Sequence, residues 1–284
     1  MKILPLALGL VLVLSACGES QQRLNERPTW IHRRDTVPFG EALPAPSAAT
    51  IAQSDRVDAL EKLFIDGRDG ECRKQLARFF AEGGDHPRAH DLNGRLLILE
   101  GKYAEAADAF GRAVAGSPRW LQPRLAQAEC FLELKRPQAA ASVYAELDRL
   151  MPDAPWGPWG MGLIAAQGKD SDRSIALLDE ALRRDPEHVP SLLARAGMAE
   201  RAGDTVREEA LLLHASGLDP DNAQTWLRLA ALTEADNRLV DAETHLARAF
   251  ALTRDPRLRE RLAQLCDRRG DPAAATRWRT PSHP

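Results

Sequence analysis

The residues best equipped for chemistry are few and scattered. His86 and His90, beside Asp85 and Asp91, make an acidic-histidine cluster of a kind that ligates metal. A tetrahedral site needs ligands converging on one point, yet His86 falls in a loop, His90 begins a helix and no third histidine is close in sequence. The run Gly160-Met161-Gly162-Leu163-Ile164-Ala165 matches a dinucleotide fingerprint, with Asp179 and Glu180 downstream. That chemistry needs a strand ahead of the glycines, so that a helix N-terminus meets the pyrophosphate. Here proline and tryptophan precede, and the match lies inside a helical pattern. His214 and His245 read as surface or half-buried side chains, and Glu208-Glu209 are neighbours on different helix faces rather than an acid/base pair. No G-x-S-x-G, H-E-x-x-H or P-loop pattern occurs. The expectation is a chain with no catalytic residue, no cofactor and no metal.

The elements around these residues are helical by composition. Of 284 residues, 44% are hydrophobic and 28% charged, with a net charge of −3, which disfavours both wholesale disorder and a strongly basic nucleic-acid binder. Aromatics are only 5% and alanine is abundant, favouring close-packed helices over a sheet sandwich. The four cysteines include no C-x-x-C pair, against a thiolate zinc site or a dense disulfide framework. Cys72, Cys130 and Cys266 are expected as free, largely buried thiols.

The N-terminus reads as an address. Met1-Lys2 precede an apolar stretch from Ile3 to Leu14 that is shorter than the ~20 residues a spanning helix needs. It ends in Leu14-Ser15-Ala16-Cys17, which resembles the lipobox of bacterial lipoproteins. That resemblance implies cleavage before Cys17, a diacylglycerol on its thiol and a further acyl chain on its amine. Gly18 in place of aspartate resembles lipoproteins sent on to the outer membrane. Residues 17–52 carry Pro28, Pro38, Pro44 and Pro46 without helical periodicity and are expected to be a linker, with Trp30-Ile31-His32-Arg33-Arg34 as a cluster able to dock on the body or on lipid headgroups.

Beyond it, Pro118, Pro152, Pro186 and Pro220 recur at intervals of 34 residues. With that proline as position 32 of a unit, position 8 is small throughout (Gly94, Ala128, Gly162, Ala196, Ala230). Position 24 is large and apolar (Phe110, Tyr144, Leu178, Leu212, Leu246). Two helix axes that approach to ~8–10 Å need a small side chain opposite a large one, and proline ends a helix because it lacks an N–H and clashes one turn back. This pattern resembles the tetratricopeptide repeat family. Units are placed at 53–86, 87–120, 121–154, 155–188, 189–222 and 223–255, followed by a terminal helix from Arg257. Departures fall at position 7 (Asn93, Gln127, Arg195), at position 20 (Ser174, Glu208) and at Arg254, which replaces the closing proline.

The resemblance implies a right-handed superhelical α-solenoid of antiparallel helix pairs, about six repeats plus a C-terminal capping helix, whose first helices line a concave groove. Leu125, Trp156, Trp159, Leu163, Leu193 and Leu227 would form its apolar band, flanked by Asp91, Arg95, Glu129, Glu200, Arg201 and Glu234. Trp159 has a second reading, packing between helices, since it lies one residue from the family's position-4 tryptophan, which Trp226 occupies in register. Asp91, Arg95 and Ala126 do not match the family's two-carboxylate clamp. From Arg248 onward nine arginines oppose four acids, giving a solvated cap or a basic end for anionic lipid or polymer.

The expected organisation is thus a signal peptide over 1–16, the lipidated Cys17 with its linker to 52, and an array over 53–284. The expected role is a lipid-anchored, periplasm-facing, non-catalytic adaptor for envelope proteins, similar in organisation to repeat-containing lipoproteins. It would bind protein partners and, through its acyl anchor, the bilayer, but no nucleic acid and no small-molecule substrate. A self-associating structural protein and the scaffold part of an enzyme complex are the alternatives.

Overall fold

A computed structural model describes residues 48–280, and side chains from Gln53 onward. The signal peptide, Cys17 and the expected linker up to residue 47 lie outside the described residues. Among those described there are fourteen helices and no strand. The chain divides into two compact units, the first ending at Gly168 and the second starting at Lys169.

The first unit holds α1 (Ala48–Ile65), α2 (Asp69–Ala81), α3 (Pro87–Leu99), α4 (Tyr103–Gly116), α5 (Leu121–Glu133), α6 (Pro137–Leu150) and α7 (Trp156–Gln167). The second holds α8 (Ser171–Arg184), α9 (Val189–Ala202), α10 (Thr205–Leu218), α11 (Ala223–Ala235), α12 (Leu239–Thr253), α13 (Pro256–Arg269) and α14 (Pro272–Arg279). Within each unit, short loops turn each helix back on the one before it, and helix contacts fall mainly between sequence neighbours. Two differences from expectation appear at the ends. Helix α1 starts at Ala48, inside the stretch read as linker. The C-terminal cap is a helix pair rather than one helix, because Ala274 and Ala275 bury themselves against Ala263 and Cys266.

The 34-residue register is the packing register. Phe110, Tyr144, Leu178, Leu212 and Leu246 are each no more than 1% exposed, and Gly94, Ala128, Gly162, Ala196 and Ala230 at position 8 are all buried. The small-against-large requirement is literal at Gly94, where a Cβ would stand 2.6 Å from the Phe110 ring. Gly160 is tighter still, for its Cβ would lie 2.1 Å from Tyr144. Gly160 of the nucleotide-like run is therefore a contact point between helices.

Helix ends follow simple rules. Pro118, Pro152, Pro186 and Pro220 each stand two residues past the end of α4, α6, α8 and α10. Where the fifth proline is replaced, Arg254 takes a left-handed conformation at φ 54° and stops α12, and Pro256 opens α13. Asp170, Asp204, Asn222, Asp255 and Asp271 accept backbone N–H bonds at the next helix start. The turn inside each hairpin has its own beat: Gly67, Gly101, Lys135, Lys169, Gly203 and Asn237 all have positive φ and are 34 residues apart. Only glycine adopts that conformation without a steric cost.

Two substitutions test this account by urea denaturation followed by helical circular dichroism. Gly160→Ala overpacks the Tyr144 contact and is expected to lower stability by about 1–3 kcal/mol. Lys135→Gly relieves ~1–2 kcal/mol of left-handed strain against ~0.4–1 kcal/mol for glycine's greater unfolded freedom, so it should raise stability by roughly 0.5–1 kcal/mol.

Candidate partner-binding face

The first helices of the hairpins carry the residues expected to meet a partner, and most of those residues are core. In the first unit Leu125, Trp159 and Leu163 are 2%, 4% and 5% exposed. Trp159 meets Tyr144 edge-on at 6.1 Å and Trp156 edge-on at 5.9 Å. The packing alternative for Trp159 is thus the observed one. Trp156, at the outer end of this aromatic row, keeps part of its surface in solvent. In the second unit Leu193 is buried, while Leu227 is half-buried against a cluster that includes Ala230, Leu246 and Leu262. The expected apolar band therefore offers a partner only Trp156 and Leu227, because its other members fill space between helices.

The flanking charges divide the same way. Asp91 and Arg95 are buried and joined, the guanidinium Nε donating to the carboxylate at 2.7 Å. Burial nonetheless pushes the Asp91 carboxyl above its ordinary value, with Arg95 opposing the shift. Glu129 is buried and its Oε2 has no hydrogen-bond partner. Desolvation, reinforced by the charge of Glu133 one turn away, holds its carboxyl well above the ordinary 4.5. In the second unit Glu200 is about half exposed and accepts from Arg228 at 3.2 Å, and Arg201 is exposed. Glu234 accepts from Arg261 at 2.8 Å and also from Arg268.

Two ion pairs were not foreseen, one of them interior. Arg228 donates to Glu208 at 3.0 Å with both side chains buried, which explains how a glutamate is accommodated at the small position 20. Arg195 at position 7 donates from Nε to Asp179 at 2.8 Å. The departures already visible in sequence, Glu208 and Arg195, were the available signal, but their partners lie 20 and 16 residues away and needed the fold to find them.

The histidines have structural duties. His86 Nδ1 accepts from the Arg88 backbone N–H as the cap of α3, and its other ring nitrogen lies 3.3 Å from Ser54 Oγ. His90 stacks on Phe80 at 5.0 Å and its Nε2 lies 2.8 Å from Asp85. His245 stacks on Trp226 at 5.8 Å. Among the described residues no group of three or more histidine, cysteine, aspartate or glutamate side chains converges to hold a metal. Cys72, Cys130 and Cys266 are free and buried. Burial raises all three thiols, Cys72 and Cys266 to about 11. At the basic C-terminal end, Arg261, Arg268, Arg269 and Arg279 meet carboxylates.

The unpaired Glu129 gives a pH test. Its folded-state value is raised above the unfolded one, so folding takes up a proton and stability falls as pH rises from about 4.5 toward the raised value. Glu129→Gln keeps the neutral shape and should be more stable than wild type at pH 8, the gain shrinking as pH approaches 4.5. Equal denaturation midpoints at pH 8 would contradict this assignment.

Residues 92–155 and 160–223 match the family model described as tetratricopeptide repeat. No curated protein matches the chain in sequence. Among solved structures, Pseudomonas aeruginosa PilF is 15% identical with a TM-score of 0.57, over 73% of this chain and 94% of that one. A thermophilic repeat protein of Thermus thermophilus is 24% identical with a TM-score of 0.51, over 63% and 98%. PilW, described as a widely conserved type IV pilus biogenesis factor, is 17% identical with a TM-score of 0.52, over 68% and 90%. The hairpins of residues 92–155 and 160–223 are tetratricopeptide repeats, and the chain is built on the all-helical fold that such repeats share.

Proposed function

We propose that this protein is a lipid-anchored adaptor of the bacterial envelope that holds other proteins and performs no chemistry of its own. The observation that carries the reading is the repeat itself: helix hairpins in one register, a fold whose general use is protein–protein interaction. The anchor rests on the Leu14-Ser15-Ala16-Cys17 run alone. More than one acyl chain, at ~0.8 kcal/mol per buried methylene, gives stable attachment where one does not. In this reading Trp156 is the contact for a partner. It is a large amphipathic side chain, partly in solvent, seated on the rigid edge of Trp159, and such aromatic residues dominate binding energy.

Crosslinking in the native envelope followed by mass spectrometry tests the adaptor role. Trp156→Ala is expected to reduce capture of the principal crosslinked protein by tenfold or more, since a central aromatic contributes about 2 kcal/mol or more, while shifting the melting temperature little. Unchanged capture would remove Trp156 from the binding face. Cys17→Ser tests the anchor separately: palmitate labelling should disappear and the protein should leave the membrane fraction, and persistence of both would refute lipidation at Cys17.

A further inference from the structure

The second unit contains a cavity of about 470 Å³ between α8, α9 and α10. Asp179, Leu182, Arg195, Arg207, Leu211 and His214 are among its lining residues. On α10, Arg207, Leu211 and His214 follow one another at intervals of four and three residues, which puts them on one helix face. Arg195 comes from α9 on another wall and is the unusual member. It stands at a repeat position filled by the fully buried Leu229 one repeat later, and its side chain is only 7% exposed. A guanidinium carries five N–H donors. Here Nε is committed to Asp179, and the η-nitrogens make no other hydrogen bond among the described residues. Donors left without a protein acceptor are normally met by water or by a ligand. Asp179 fixes the fork without exhausting it.

The charges around the cavity leave room for an anion. Asp179 balances Arg195 at 2.8 Å, while Arg207 is exposed and its one carboxylate neighbour, Asp204, stands 3.6 Å away. His214 adds a further polar group from α10, and the leucines supply apolar wall. A few polar groups converging over apolar side chains, in a space of this size, is the usual make-up of a small-ligand site.

We propose that this cavity binds a carboxylate carried on a short apolar chain. The carboxylate accepts from the free η-nitrogens of Arg195 and from Arg207, and the chain lies against Leu182 and Leu211. Such a group can belong to a free fatty or keto acid or to the C-terminal residue of a peptide with an aliphatic side chain. This site is separate from the Trp156 contact and does not depend on it.

Sodium hexanoate is the probe, titrated into the full chain and followed by NMR of the backbone amides and arginine Nε resonances. Saturable shifts at Arg195, Arg207 and Leu211 are expected, with hexanamide and acetate each binding at least about tenfold more weakly, the loss of one charge-assisted contact or of the apolar chain. Arg207→Ala lies on the exposed rim and leaves the fold intact; it should weaken hexanoate about tenfold. Arg195→Met should abolish binding, and if that variant does not fold, the hexanamide comparison and Arg207→Ala decide. Hexanoate binding no tighter than hexanamide, or equal in wild type and Arg207→Ala, overturns the proposal. An acetylated peptide ending in Leu-Leu, compared as acid and as amide, distinguishes the sources. Preference for the peptide acid over hexanoate assigns the site to a chain terminus, and the reverse assigns it to a free acid.

Discussion

Everything in this fold depends on how closely two helices can approach. Gly94 under Phe110 and Gly160 under Tyr144 have no room for even a methyl group, and Ala128, Ala196 and Ala230, at the position of Gly94 in later hairpins, are fully buried. Each large side chain is removed from water only because its opposite number is small. A buried leucine or phenylalanine is worth about 1.5–3 kcal/mol, so a handful of such pairs outweighs the polar groups that the same interior tolerates. Among those groups are Ser174, whose hydroxyl has no partner, and Glu129.

The polar interior shows two solutions to the same difficulty. Arg228 and Glu208 neutralise each other inside the second unit, the guanidinium also donating to the Leu193 carbonyl at 3.3 Å. Glu129 has no such cation, and burial holds its carboxyl well above the ordinary value. An ion pair removed from water roughly breaks even with an apolar pair of similar shape, whereas an unpaired charge does not. Burial raises the Glu208 carboxyl too, with Arg228 opposing the shift, so both arrangements tie stability to protonation.

Much of this was legible in the chain because the period is long and the constraint local. The proline interval placed the starts of α3, α5, α7, α9 and α11 to within a residue, and small-large alternation identified Phe110, Tyr144 and Leu246 as core. The left-handed beat was also present, in Gly67, Gly101 and Gly203, but lysine and asparagine at its other positions concealed it. The face of each first helix was harder. Leu125, Leu163 and Leu193 have the same composition whether they line a groove or fill a gap, and only the approach of neighbouring helices decides between the two. The cavity around Arg195 was beyond sequence for a related reason: Asp179, Arg195 and His214 come from three helices, and nothing in their spacing brings them together.

The confinement of helix contacts mainly to sequence neighbours has a kinetic consequence. Loop-closure entropy must be met before a distant contact can form, so chains whose contacts are short in sequence separation fold fast. Each hairpin here can form once some thirty residues are available, and can template the next. A polypeptide that emerges from a ribosome or a translocation channel N-terminus first would hide its apolar surface progressively, hairpin after hairpin, and would never present the whole of it at once.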